Sequence, residues 1–435
     1  MVGRRKRAVK KLLCGRAEVV GFAGVRDRRK ARGKRWALPS ILAAIVLGIM
    51  GKARSVREIE DKTEDMGPLR SRFGIRRRVP RSTIGRVAAQ GVAPSELQEH
   101  LGRVVRAEER RKTLVPTELP VGCVAVDGKA IRSVHRHAVN PDCQEVHPKD
   151  GAAYYKYLVF RAVLMATRAK LCIGQRTVPG TTNEMGCFAE FFGWLVERYG
   201  RSGLFEVMFA DSGSTSLDNA TRVHDAQKGY VFALKENQPE LLREARRLLV
   251  PKMQGEPPES ETEGWEKDHR GRWLKRQMWR TFEIGGYLDW SHLQQAIVVR
   301  TLERVGNPRH GPCEVVVVED RYFISSLAAG HRLKGEQMFR AIRQYWQVEE
   351  HNRMMDVELE EDDLPFTQTG DGVPVTTLLR VLAGNLLALL RDVHLRAEEN
   401  RILPWRRVRD WVWNTLAADD PDTDESAGAE PVVAG

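Results

Sequence analysis

The sequence predicts an α/β domain with a β-rich insertion, preceded by a small helical N-terminal domain. Three observations carry that expectation. Before residue 115 apolar residues recur at helical spacing. From Leu114 short apolar runs bounded by turns alternate with amphipathic stretches. Over about 239–320 a polar, Pro/Gly-rich patch (Lys252 to Trp265) gives way to strand-like runs.

Residues 36–63 read as helical. WALPSILAAIVLGIM is broadly apolar, and Val56 and Ile59 lie three apart in the stretch that follows. Pro80 then breaks the chain, and Ser82 is placed to cap a helix carrying Ile84, Val87 and Ala88. Arg70, Arg72, Arg76, Arg77, Arg78 and Arg81 surround it. They either present the short helix to DNA or form a solvated basic loop on a helical scaffold. VPTELPVGCVAVDGKAIR is a turn-bounded strand reaching Asp127, and YYKYLVFRAVLMA and AKLCIGQRTV continue it as a meander. Thr182 to Tyr199 is a helix with Met185, Phe188, Phe192 and Leu195 on one face. LFEVMFAD is a buried strand ending in Asp211, Leu217 to Gln227 a helix, and GYVFALKEN another strand. Three antiparallel strands, a helix, a strand, a helix and a strand form the RNase H-like order. RWLKRQMWRTFEI, AIVVRTLERV and CEVVVVEDRYFISSL supply the insertion, residues 333–363 are helical around Glu349, and 375–394 form an apolar helix. The expected organisation is a basic, flexible arm over 1–30, a helical domain over 31–115, and the α/β domain over 116–395 with its insertion at about 239–320. A helix and an acidic disordered tail over 396–435 complete it.

The 435 residues carry a formal charge of +12, which points to a polyanionic partner. The excess is confined to the start. Residues 1–35 hold fourteen Lys/Arg against Glu18 and Asp27, so the remainder is neutral. That basic run is either a phosphate-contacting arm or a solvated tail. The six cysteines (14, 123, 143, 172, 187 and 313) form no CxxC pair and no zinc spacing with His, and read as reduced thiols of a cytosolic protein. The longest apolar run, Ile41 to Met50, is too short to span a bilayer, and the Arg-rich start is not a secretory signal.

Two acids end strands: Asp127 in VAVDGK and Asp211 in VMFADSG. Singly, each reads as a turn-former or helix cap. On neighbouring strands their charges repel unless a cation bridges them, and a hard divalent ion suits such oxygen ligands. A third carboxylate from a helix would complete a two-metal site. Glu349 shares a helical face with Ile342, Tyr345 and Trp346, yet spacing leaves Glu350 and a plain acidic surface helix open.

At these residues the sequence resembles the H-repeat-associated transposases of bacterial insertion sequences, a branch of the DDE superfamily with an RNase H-like catalytic fold. The resemblance is collinear over roughly residues 30–395. RKARGKRWALPSILAAIVLGIMGKARSVREIED and VPRSTIGRVA resemble the family's N-terminal associated domain. VAVDGKAIRS resembles its Ile-Asp-Gly-Lys motif, TTNEM its Lys-Ser-Asn-Glu-Ile segment, and FADSG with YVFALKENQPEL its second-Asp block. DHRGRWLKR, RYFISSL and YWQVEE resemble its His-Gly-Arg region, Tyr-Ile-Ser-Ser-Leu strand and His-Trp-x-Ile-Glu-Asn motif. Tyr345 and Glu350 depart from that last motif, which has His and Asn there. The resemblance implies a catalytic triad of Asp127, Asp211 and Glu349 holding two Mg²⁺ or Mn²⁺. It implies cleavage at the ends of an insertion sequence and strand transfer to target DNA, by a dimer or higher oligomer, cytoplasmic and nucleoid-associated. Lys129, Arg132, Lys235, Asn237, Gln238, His269 and Arg272, with Arg270, are candidate DNA contacts, each weighed against a solvated loop, and Trp346 reads as a core aromatic. Two rivals remain: a catalytically retired, DNA-binding descendant, and a metal-dependent nuclease without strand transfer.

Overall fold

The computed structural model describes residues 2–16, 21–133, 144–147, 153–178, 184–268, 270–290, 292–306, 313–362, 367, 369–395, 399 and 402–418. Helices dominate the N-terminal part: α1 (Val2–Gly15), α2 (Leu38–Met50), α3 (Val56–Asp65), α4 (Arg81–Arg86), which runs on through a π turn to Gly91, and α5 (Pro94–Arg110). Ser55 caps α3, its hydroxyl accepting from the Glu58 amide at 3.1 Å. Prolines sit in the first turns of α2 and α5, where a missing N–H breaks no bond. Ser82 is not the cap expected of it. α4 starts at Arg81 behind Pro80, whose fixed φ already suits a helix entry.

The start of the chain departs from the flexible arm expected over 1–30. Val9, Leu12 and Leu13 lie three and four residues apart and are fully buried, so the basic run is one face of an amphipathic helix. That helix packs on α12 (Trp405–Leu416). Just beyond it, Arg16 grips the buried Glu108 of α5 with two bonds of 2.7 and 2.8 Å. The expected acidic tail lies outside the described residues beyond 418.

The sheet begins with β1 (Cys123–Ser133), β2 (Gln144–Val146), β3 (Tyr154–Leu164) and β4 (Cys172–Val178). After helix α6 (Glu184–Tyr199) come β5 (Val207–Ala210), helix α7 (Leu217–Asp225) and β6 (Gly229–Leu234). β3 runs antiparallel to β1, β2 and β4, whereas β5 is parallel to both β1 and β6. Phe188, Phe191, Phe192 and Leu195 bury the inner face of α6, while Met185, expected with them, is exposed in its first turn.

Residues 239–320 open with a helix, α8 (Pro239–Gly255), before the strands β7 (Ser260–Glu261), β8 (Glu266–Lys267), β9 (Trp273–Thr281), β10 (Gln295–Val305) and β11 (Glu314–Ser325). β11 pairs antiparallel with β6, so these strands extend the main sheet. Two short helices follow, α9 (Glu336–Gln344) and α10 (Gln347–Arg353), the latter continued by a π turn to Glu358. α11 (Gly372–Leu389) continues to His394. Over Gly372–His394 it is long and apolar enough to cross a membrane, but it is buried inside the protein, against α2, α5 and β4. The result is a mixed α/β architecture around one large sheet.

Candidate active site

The approach of β1 to β5 is set at its start. Gly122 has no side chain, and a Cβ there would collide with the carbonyl of Gly203. Its own carbonyl accepts from the amides of Glu206 and Val207 at 2.9 and 3.0 Å, which puts the two strands in parallel register. Val126 then pairs with Ala210. One residue on, Asp211 leaves the end of β5, whereas Asp127 does not end its strand as expected: β1 continues to Ser133, with Asp127 paired to Arg161 of β3.

Asp211 performs the local task expected of a strand-end aspartate. Its Oδ1 accepts from the Gly213 amide at 2.8 Å and caps the short turn Ser212–Ser214. Asp127 differs. Burial first, then the charges of Asp211 and Glu349, push its carboxyl up to about 7, against hydrogen bonds from Asn352 and Gly128. Glu349 is also raised. Partial desolvation leads, Asp211 and Glu350 add to it, and Arg321 and Lys235 oppose. Its side chain stays open to solvent, so desolvation acts on it less completely than on Asp127. Three carboxyls from β1, the end of β5 and α10 therefore feel one another. Glu350 points elsewhere: it is exposed and pairs with Arg353 at 3.0 Å.

Three carboxylates reached by water are a donor set suited to a hard divalent ion. Among the described residues, however, no three His, Cys, Asp or Glu side chains are drawn together closely enough to hold a metal ion. Mutual repulsion favours such an open arrangement.

A buried polar network stands behind Asp127. Asn352 Nδ2 donates to Asp127 Oδ2 at 2.9 Å, and Asn352 Oδ1 accepts from Arg161 Nη1 at 2.9 Å. Arg161, fully buried on β3, donates to both oxygens of Glu361 at 2.5 and 2.6 Å and to Gln175 Oε1 at 2.7 Å. Gln175 donates in turn to Thr377 of α11 at 2.9 Å. None of these residues was singled out from the sequence. Arg161 offered a signal, because a lone arginine within YYKYLVFRAVL requires a buried partner. Asn352, one helical turn after Glu349, offered a weaker one.

The candidate DNA contacts divide. Lys235 is exposed, and its charge reaches Glu349. Asn237 and Gln238 donate to the backbone of the loop behind Asp211: Asn237 to Ser212 O at 2.7 Å and to Thr215 O at 3.4 Å, Gln238 to Thr215 O at 3.2 Å. Lys129 is not an exposed phosphate contact. Its ammonium pairs with Asp356 and lies 3.3 Å from Asp362 and 3.5 Å from Glu361, because two residues along a strand return the side chain to the face that Asp127 occupies. Arg272 pairs with Asp268 at 2.9 Å, just before β9. Four strand spacings separate β9 from β5, roughly 20 Å across the sheet. Arg270 is exposed beside it. His269 and the Arg132 side chain lie outside the described residues. Trp346 is no core aromatic: it is 39% exposed, with the Arg321 guanidinium 4.6 Å over its ring.

No family model matches the sequence, and no curated protein does. Among solved structures there is a likeness to the piggyBac transposase, in the cryo-EM structure of its synaptic complex with hairpin DNA. The identity is 11% over 95% of this chain and 80% of that one, with a TM-score of 0.43. Likeness at that level fixes neither the fold nor the chemistry.

Proposed function

We propose that this protein is a DDE transposase that cleaves DNA at the ends of an insertion sequence and joins the freed 3′-OH to target DNA. The observation that carries the reading is the placement of Asp127 on β1 beside the end of β5, where Asp211 follows, with Glu349 of α10 near enough for its charge to act on Asp127 and to feel that of Asp211. The strand sequence β1, β3, β4, α6, β5, α7, β6, with β5 beside β1, supports an RNase H-like core.

In this reading the three acids would hold two Mg²⁺ or Mn²⁺. Bound there, such ions would lower the pKa of a water and offset charge on the leaving oxygen. Asp127 and Asp211 present carboxyl oxygens at fixed positions on the sheet. Asn237 and Gln238 keep the loop after Asp211 in place. Lys235 and Arg321 put positive charge beside Glu349, where a phosphodiester would enter. Two strand-end reactions follow, hydrolysis at the element end and attack of the resulting 3′-OH on target DNA. Neither requires a covalent protein intermediate. DNA ends and target are the partners, and pairing of two ends calls for a dimer or higher oligomer.

The open spacing of the acids favours one rival, a DNA-binding protein that has lost cleavage. The deciding experiment incubates the protein with DNA carrying the flanking ends of its own gene, in Mg²⁺, Mn²⁺ or EDTA. Metal-dependent nicking at the ends, followed by joining to a target plasmid, is the expected result. Nicking without joining indicates a nuclease, and end binding without cleavage under every metal indicates the retired form.

A further inference from the structure

We propose that Asn352 is a positioning residue for Asp127, linking that carboxylate on β1 to the buried Arg161–Glu361 pair. The inference rests on the metal-dependent reading above and adds to it a member that does not touch substrate. An aspartate carboxylate with no partner is free to rotate about its last bond. Asp127 is restrained at one oxygen by the Asn352 amide at 2.9 Å. That amide cannot flip, because its carbonyl oxygen is occupied by Arg161 Nη1 at 2.9 Å, and flipping would set N–H against N–H. Arg161 cannot yield either. It is fully buried, and Glu361 and Gln175 take its other donors. Asn352 itself is 7% exposed. The chain of bonds thus turns Oδ2 of Asp127 toward Asn352 and restrains the rotation of its carboxylate. Partners of this kind orient metal ligands, and their loss typically weakens metal affinity by about 10–100-fold.

The test uses Mn²⁺ alone, without DNA, titrated into the full chain and followed by the EPR signal of the free ion. Wild type and Asp127→Asn set the scale. Asn352→Leu is close in size and removes both bonds. Gln175→Leu breaks the same network on the far side of Arg161 and touches no acid. The expected result is Mn²⁺ binding weakened about 10-fold or more by Asn352→Leu and within about 3-fold of wild type in Gln175→Leu, although both lower the Tm. Asn352→Ala, which leaves room for water to solvate Arg161, replaces the leucine variant where that one does not fold, with the same expected weakening. Unchanged Mn²⁺ affinity in the asparagine variant, or equal weakening in both variants, makes Asn352 an ordinary structural residue and overturns the inference while leaving the metal reading intact. Wild type that binds no Mn²⁺, or binding that Asp127→Asn leaves unchanged, overturns both.

Discussion

Asp127 and Glu349, two acids of the candidate site, are held in different ways. Asp127 sits on a long strand between two neighbours, backed by Asn352, Arg161 and Glu361. Glu349 projects from a helix of seven residues that ends in a π turn, with exposed Glu350 beside it and the exposed Trp346–Arg321 stack one turn away. One acid is fixed before anything binds. The other is an exposed side chain on the outer face of α10, the helix whose Val348, His351 and Asn352 are buried against β1 and β3. In the proposed reading the buried acid would be the rigid half of the site and the solvated Glu349 side chain its adjustable half.

The largest expected effect breaks the rigid half. Asp127→Ala should lower strand cleavage by about 10³-fold or more while DNA binding stays within about 3-fold, because its carboxylate acts on the reaction and not on the duplex. Cleavage assays beside gel-shift titrations decide it, and unaltered cleavage would refute the assignment. Next comes the adjustable half. Glu349→Gln should cost about 10²-fold or more in cleavage and Glu350→Gln less than about 3-fold. The reverse result transfers the third acid to Glu350.

A smaller effect compares the two halves through stability. Burial and like charge raise Asp127 from 3.8 to about 7, so the folded state binds its proton more tightly than the unfolded chain does. Its stabilising contribution is therefore complete below about pH 4 and lost as the pH rises through 7. Without divalent ions, Asp127→Asn should raise the Tm at pH 8 by roughly 2–4 °C and change it little at pH 4. Glu349→Gln should follow the same sign with a smaller gain, since its side chain is solvated. Thermal melts across that range test both, and an Asp127→Asn gain that persists at pH 4 would rule out proton linkage. Least of all, Trp346→Ala should leave the Tm within about 1 °C and weaken binding of single-stranded ends about 3-fold, the loss of one exposed stacking surface. A loss of several degrees would show that the ring is structural.

The same contrast explains what could be read from the sequence. The strands were legible because the apolar runs of β1, β5 and β6 end abruptly at Asp127, Asp211 and Lys235, a local pattern, although β1 itself runs on past Asp127 to Ser133. The face of α10 was legible only in part. Helical spacing groups Glu349 with Trp346 but does not say which side meets the sheet. Lys129 misled because a lysine two residues from a candidate acid looks like a phosphate contact. Its three carboxylate partners come from the stretch 356–362, more than two hundred residues later. The basic start misled for the opposite reason, since charge drew attention away from the stripe of Val9, Leu12 and Leu13. Arg16 and Glu108, too, meet only in three dimensions.

Helix α11 has a consequence for how this chain can be divided. Its side chains are buried from all directions, by α2 and α5 from the first quarter of the sequence and by β4 from the sheet. A fragment beginning near residue 116, the natural cut suggested by composition, would leave that apolar rod uncovered along one side. Such a fragment should be insoluble, and a gene broken at that point should be rescued only by supplying the missing N-terminal piece in trans. Helices α1 and α12 pack on one another, so the two ends of the described chain belong to the same folded body.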